Sequence, residues 1–162
     1  GNKTVTEALR KKGIEVTTVD IAPDLNPEVI APVTKLPFPD RSFEGILAAE
    51  VLEHLPFKDF SKALSEIHRV AGRFAVISLP HAGFVFSLEF KIPLIGKKSF
   101  LWKLPFFWRV HEFNGEHYWE IGKRGFSARR IKKIIRHHGF HLRRSGIFAD
   151  DPANYFFILE KV

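Results

Sequence analysis

Apolar residues recur along this chain at two periods. At Phe60, Ala63, Leu64, Ile67 and Val70 they fall three or four residues apart, which predicts a helix from Phe60 to Val70 with Asp59 or Ser61 at its start. A second helix is predicted from Ser127, whose hydroxyl suits a cap, to about His138, with Gly139 closing it. A shorter one is predicted over Thr4 to Lys12, capped by Thr4 or Thr6 and ended by Gly13. Compact apolar runs lie between. Ile14 to Asp20 is rich in β-branched residues and predicts a strand that ends on an acid, and Val29 to Val33 predicts another short strand. Gly45 to Ala49 and Phe74 to Leu79 are nearly all apolar, the pattern of strands buried on both faces of a parallel sheet, and Pro80 halts the second. Phe140 to Phe148 and Asn154 to Lys161 predict an antiparallel pair joined through Asp150, Asp151 and Pro152.

Strand, helix and strand thus alternate as in α/β crossovers. The connector Leu36-Pro37-Phe38-Pro39-Asp40 is stiffened by its prolines. From His81 to Arg124 the rhythm breaks, and aromatics, prolines and glycines follow without a clean period. We expect one domain over 1–162, with 81–124 as a substrate-side insertion or lid over the sheet edge.

Composition narrows the picture. The 162 residues suffice for one domain with a real core, and the hydrophobic fraction of 45% is that of a globular protein. The chain has no Cys, which excludes disulfides and thiolate metal sites, and a cytoplasmic location is the default expectation. No run has the length and uniform apolarity of a membrane span, and no secretory signal opens the chain. The aromatic stretch from Gly83 to Val110 is interrupted by Glu89, Lys91, Lys97, Lys98 and Lys103. The net charge of +7 invites a nucleic-acid or anionic-surface reading, but equally suits a basic soluble enzyme.

The run Leu36-Pro37-Phe38-Pro39-Asp40-Arg41-Ser42-Phe43-Glu44, the strand Gly45 to Ala49 and the following Glu50-Val51-Leu52-Glu53-His54-Leu55 resemble class I methyltransferases. The resemblance is to the methyltransferase type 11 branch, the ubiquinone/menaquinone-biosynthesis-like one. It is sharp from about Val16 to Pro80. It implies a Rossmann-like sandwich with a mostly parallel sheet and an antiparallel C-terminal strand, and it implies S-adenosylmethionine as cofactor. Asp20, at a strand's C-terminal edge, would accept the ribose hydroxyls, with Ile21 beside it; α/β sheets bind ligands at that edge.

Where the family often has an acid for the adenine amine, this chain has Pro32. Adenine would then rely on Val33 and Thr34 and on apolar contact from Leu36. Glu50 and Val51 would border the methionine end. His54 is a candidate base, since histidine titrates near neutrality; the alternative is a packed or capping side chain. Of the family's glycine-rich turn only Gly1 can match. The family's first strand would then lie outside this sequence, or another chain would fill its slot by a strand swap.

His81, His111, Glu112, His117 and Glu120 gather in or beside the irregular section. Their spacing fits no zinc signature, and no metal site is expected. His117 is a candidate pocket or catalytic residue. Phe84, Phe86, Phe100, Trp102, Phe106, Phe107 and Trp108 would form either a dry pocket for a hydrophobic acceptor, or a packing layer or partner interface. Arg129, Lys132, Lys133 and Arg136 share a helical face that would serve an RNA acceptor, or lie solvated with Ile131, Ile134 and Ile135 turned inward. The primary expectation is methyl transfer to a small molecule. An RNA methyltransferase and a non-enzymatic Rossmann-like binding or assembly module are the alternatives.

Overall fold

The structure, a computed structural model, describes residues 3–92 and 96–162. Gly1 lies outside them. In chain order the elements are α1 (Thr4–Lys11), β1 (Val19–Asp20), β2 (Val29–Ile30), β3 (Phe43–Ala49), α2 (Phe60–Val70), β4 (Ala71–Pro80), β5 (Gly83–Ile92), β6 (Gly96–Pro105), α3 (Ala128–His137), β7 (Phe140–Phe148) and β8 (Asp151–Lys161). Short 3-10 turns occupy Pro23–Leu25, Leu52–His54 and Phe57–Asp59.

The main sheet has the order β3-β4-β8-β7. β3 and β4 are parallel, whereas β8 runs antiparallel to both β4 and β7. β3, β4 and β7 therefore share one direction, and only the last strand opposes them. β1 and β2 form a separate parallel pair.

The core lies on one face of the main sheet. Ala75, Ile77 and Leu79 of β4 and Phe157 and Leu159 of β8 meet Phe60, Leu64 and Ile67 of α2 and Ile131 and Ile135 of α3. Each of these larger side chains contributes about 1.5–3 kcal/mol by leaving water. Both long helices fall where their apolar period places them. Ser127 caps α3 by accepting from the Arg130 N–H at 3.2 Å. Gly139 ends it at φ +81°, where a Cβ would lie 2.8 Å from the His68 ring.

The structure corrects several expectations. Neither Thr4 nor Thr6 caps α1; Lys3 holds that position without a side-chain cap bond. Asp59 precedes α2, also without a side-chain cap bond. The strand expected from Ile14 pairs only at Val19–Asp20, because its partner β2 is two residues long.

β3 is not buried on both faces: Ala48 is buried, but Leu47 is half exposed. The reason is one-sided coverage. α2 and α3 both lie over the Ala75–Ile77–Leu79 side, and α1 buries no residue. The aromatic section is not irregular throughout. β5 and β6 form a regular antiparallel hairpin in which Phe84, Phe86 and Leu88 face Leu104, Trp102 and Phe100 across the strands.

Candidate active site

The expected cofactor residues fall at the C-terminal ends of parallel strands. Asp20 closes β1, and its Oδ1 accepts from the Ala22 N–H at 3.0 Å, which fixes the carboxylate in a tight turn. Ile21 beside it is largely exposed. Val33 packs on the edge of the core, and Thr34 and Leu36 are half-buried.

The backbone of Leu36 is already engaged. Its N–H donates to Glu66 at 2.8 Å and its carbonyl accepts from Arg69 at 2.9 Å, so only its side chain is open to a ligand. Arg69 also holds the Phe38 carbonyl at 2.7 Å and Asp40 at 3.0 Å, and so pins the proline-rich connector to α2.

Glu50 follows β3 in the left-handed region, at φ +53°. A non-glycine residue there is strained and persists only when its surroundings hold it. Here Ser78 does so. The Glu50 N–H donates to the Ser78 carbonyl at 3.3 Å, and the Ser78 hydroxyl donates to Glu50 Oε1 at 2.8 Å. Val51 is exposed next to it.

The turn Leu52–His54 then reverses direction and buries Leu52 and Glu53 completely. Neither carboxylate oxygen of Glu53 has a hydrogen-bond partner. Burial, with Glu50 and Glu120 pushing the same way, raises its carboxyl to about 8, against a smaller opposing contribution from its own N–H.

His54 and His117, distant in sequence, meet edge to face with ring centres 5.1 Å apart. Backbone and indole bonds bring them together: the Tyr118 N–H donates to the Glu53 carbonyl at 2.9 Å, and Trp119 Nε1 donates to the Leu55 carbonyl at 3.1 Å. Trp119 is fully buried, 5.0 Å from the rings of both Phe57 and Phe60.

His54 Nδ1 lies 3.0 Å from the Glu116 carbonyl, and His117 Nδ1 lies 3.4 Å from Glu120 Oε1. Lys123 pairs with Glu120 at 3.0 Å. Burial raises the Glu120 carboxyl, but Lys123, His117 and His111 outweigh it and leave it below its ordinary value. His111 joins the group through Nε2, 2.8 Å from the His117 carbonyl.

Glu120 also lines a cleft of about 450 Å³, with Pro80, His81, Lys103, Phe106 and Pro152 among others. Burial, with Lys103 in support, drives His81 down to about 4, so its ring is neutral at physiological pH. Lys103 donates to the Pro152 carbonyl at 2.7 Å, and burial lowers its pKa despite the opposing charge of Asp151.

Of the seven aromatics expected around a pocket, Phe106 lines this cleft. Phe84, Phe86, Phe100, Trp102, Phe107 and Trp108 stand about half exposed or more. They do not form an enclosed dry pocket, because the hairpin face that carries Phe84, Phe86, Phe100 and Trp102 has no covering layer among the described residues.

Glu53 is a site residue that the sequence marks only faintly. The available signal was an acid set among the apolar Val51, Leu52 and Leu55. Its importance comes from burial beside two histidines, one of them from a remote segment.

Residues 1–75 match the family described as methyltransferase domain. A solved methyltransferase from Archaeoglobus fulgidus aligns with a TM-score of 0.63 and 16% identity, over 97% of this chain and 80% of that one. The fold is that of the class I S-adenosylmethionine-dependent methyltransferases.

A 1,6-didemethyltoxoflavin-N1-methyltransferase from Burkholderia thailandensis, solved with 1,6-didemethyltoxoflavin and S-adenosylhomocysteine, aligns with a TM-score of 0.59 and 16% identity, over 97% of this chain and 65% of that one. A putative methyltransferase of Haloferax volcanii, solved with its Trm112 activator, gives 0.62 and 12%, over 98% and 76%. Among curated proteins no sequence match was found. The fold implied by the resemblance drawn from Leu36 to Leu55 is thereby borne out, and the family match spans those residues.

Proposed function

We propose that this methyltransferase-fold chain transfers a methyl group from S-adenosylmethionine to a small-molecule acceptor. The observation that carries the reading is the held, strained Glu50 at the end of β3, with the fixed carboxylate of Asp20 at the end of β1. Ligand crevices of open α/β sheets lie at such strand ends.

The residues present suit the cofactor at its ribose and amino-acid ends. Asp20 offers an acceptor for hydroxyls, and Glu50 offers an acceptor for an ammonium group. The adenine side has no carboxylate, since Pro32 stands there, and contact falls to Val33, Thr34 and the Leu36 side chain. When bound, the cofactor supplies an electrophilic methyl on a sulfonium centre. The chain's own task is to align the acceptor and keep water out.

The acceptor would lie in the cleft beside His81, Phe106 and Glu120. His117 reaches Glu120, which lines that cleft, at 3.4 Å, with His54 against its ring, and either imidazole would take a proton from an acceptor that must lose one. The neighbour from Burkholderia is solved with 1,6-didemethyltoxoflavin bound, which supports a small acceptor here.

Of the α3 face that an RNA acceptor would use, Lys132 lies over the Tyr155 ring, whereas Arg129, Lys133 and Arg136 are exposed; steep salt dependence of RNA binding would favour that alternative.

Calorimetric titration with S-adenosylhomocysteine tests the proposal. The full-length protein should bind it. Asp20→Ala in that protein should bind about 10- to 100-fold more weakly, as expected for hydrogen bonds to a charged group. Absence of binding by the unsubstituted full-length protein would overturn the reading in favour of a non-enzymatic module.

A further inference from the structure

Glu53, His54 and His117 each offer one ligating atom, and these atoms lie within 4.8 Å of one another. Glu53 is fully buried with both oxygens unpartnered. A buried carboxyl without a hydrogen bond is costly, and each such group in a folded protein points to a missing partner.

Both imidazoles are arranged to supply one. His54 Nδ1 faces the Glu116 carbonyl, so that nitrogen carries the proton and Nε2, 3.9 Å from Glu53 Oε1, keeps its lone pair. His117 Nδ1 faces the Glu120 carboxylate, which is itself held by Lys123, and this leaves its Nε2 as the lone pair. A backbone carbonyl on one ring and a carboxylate on the other are the outer partners that metal-ligating histidines use to fix tautomer and raise basicity.

We propose that Glu53, His54 and His117 bind a divalent transition-metal ion through one carboxylate oxygen and two imidazole nitrogens. That donor set suits zinc, cobalt or nickel rather than magnesium or calcium. His54 is 45% exposed, which gives the ion a way in. Three protein ligands leave one tetrahedral position open. On the methyl-transfer reading, an oxygen or sulfur of the acceptor would occupy it, and the ion, in place of a free imidazole lone pair, would favour loss of the acceptor's proton; metal binding itself does not depend on that reading. The spacing within His81–Glu120 predicts no metal site; the fold adds Glu53 and His54 to His117.

The test is titration of the apo chain with Co²⁺, followed by visible absorption, and with Zn²⁺, followed by calorimetry, both without any nucleoside ligand. One ion per chain is expected, with d–d bands of a four- or five-coordinate site. Glu53→Gln and His117→Ala should each abolish the bands. Glu120→Gln should weaken binding by about 10-fold or more through its loss as outer partner. The double variant His137→Ala, His138→Ala, remote from the cluster, should bind as the parent does.

Glu53→Gln relieves a buried acid, so retained folding by circular dichroism is expected there even if His117→Ala unfolds. No stoichiometric binding at millimolar ion, or unchanged binding in Glu53→Gln, would overturn the proposal. Because no cofactor is present, that failure is distinct from failure to bind S-adenosylhomocysteine.

Discussion

The indole N–H of Trp119 donates to the backbone carbonyl of Leu55 at 3.1 Å, and this bond ties the segment after the hairpin to the turn that carries Glu53 and His54. The ring itself is buried among Phe57, Phe60 and Phe126. Trp119→Phe keeps most of the packing but leaves the Leu55 carbonyl without its donor. A loss of about 1–3 kcal/mol is expected. Trp119→Ala should cost about 3–5 kcal/mol. Chemical denaturation measures both. A smaller loss for Trp119→Ala than for Trp119→Phe would show that the indole is not a core anchor.

The Glu66–Arg69 pair should set an acid limb of stability. The Arg69 guanidinium, bonded at 2.7 Å, lowers the Glu66 carboxyl from its ordinary value of 4.5, with the Leu36 N–H adding to the effect against a smaller burial penalty. A carboxyl depressed in the folded state stabilises at pH above its unfolded value and loses that contribution as the pH falls through the folded value. Denaturation midpoints between pH 6 and pH 3 should therefore fall less steeply in Glu66→Gln than in the parent. Equal slopes would contradict this.

His81 acts over a higher window. Burial, helped by Lys103, takes it from 6.5 to about 4. The unfolded chain then binds a proton that the folded chain refuses. The contribution of His81 is complete above pH 6.5 and declines as the pH drops toward 4. His81→Phe should remove that slope between pH 6.5 and 4.5 in urea titrations. Persistence of the slope would assign it to other groups.

Gly122 is required twice. It sits at φ +92°, and a Cβ there would lie 2.3 Å from the Ala82 carbonyl oxygen, on the segment where His81 bridges Ile121. Gly115, at φ +96°, has nothing within 4 Å of its Cβ position. Gly122→Ala should cost clearly more than about 1 kcal/mol, and Gly115→Ala should cost only the backbone strain. Melting temperatures of the two variants compare them directly. Similar losses would mean that the Ala82 backbone yields.

What the sequence determined by itself is local and periodic. The spacing of Phe60, Leu64 and Ile67 specifies α2 because residues three and four apart share a helical face. The Ser127 hydroxyl and Gly139 mark the ends of α3 because a cap and a left-handed terminus are decided within a few residues. The apolar run at β4 and the pair β7–β8 follow for the same reason. The alternation of Phe84, Phe86 and Leu88 with Val85, Ser87 and Glu89 carried the hairpin as well, though the surrounding aromatics obscured it.

Only the tertiary structure decided the rest. One-sided coverage by α2 and α3 left Leu47 half exposed on a strand whose composition reads as fully buried. The Leu36 backbone was taken by Glu66 and Arg69, and Glu53 was closed into the interior beside His54 and His117. These outcomes depend on which distant segments meet. A carboxylate's environment is a property of its neighbours in space, and pattern along the chain does not encode it.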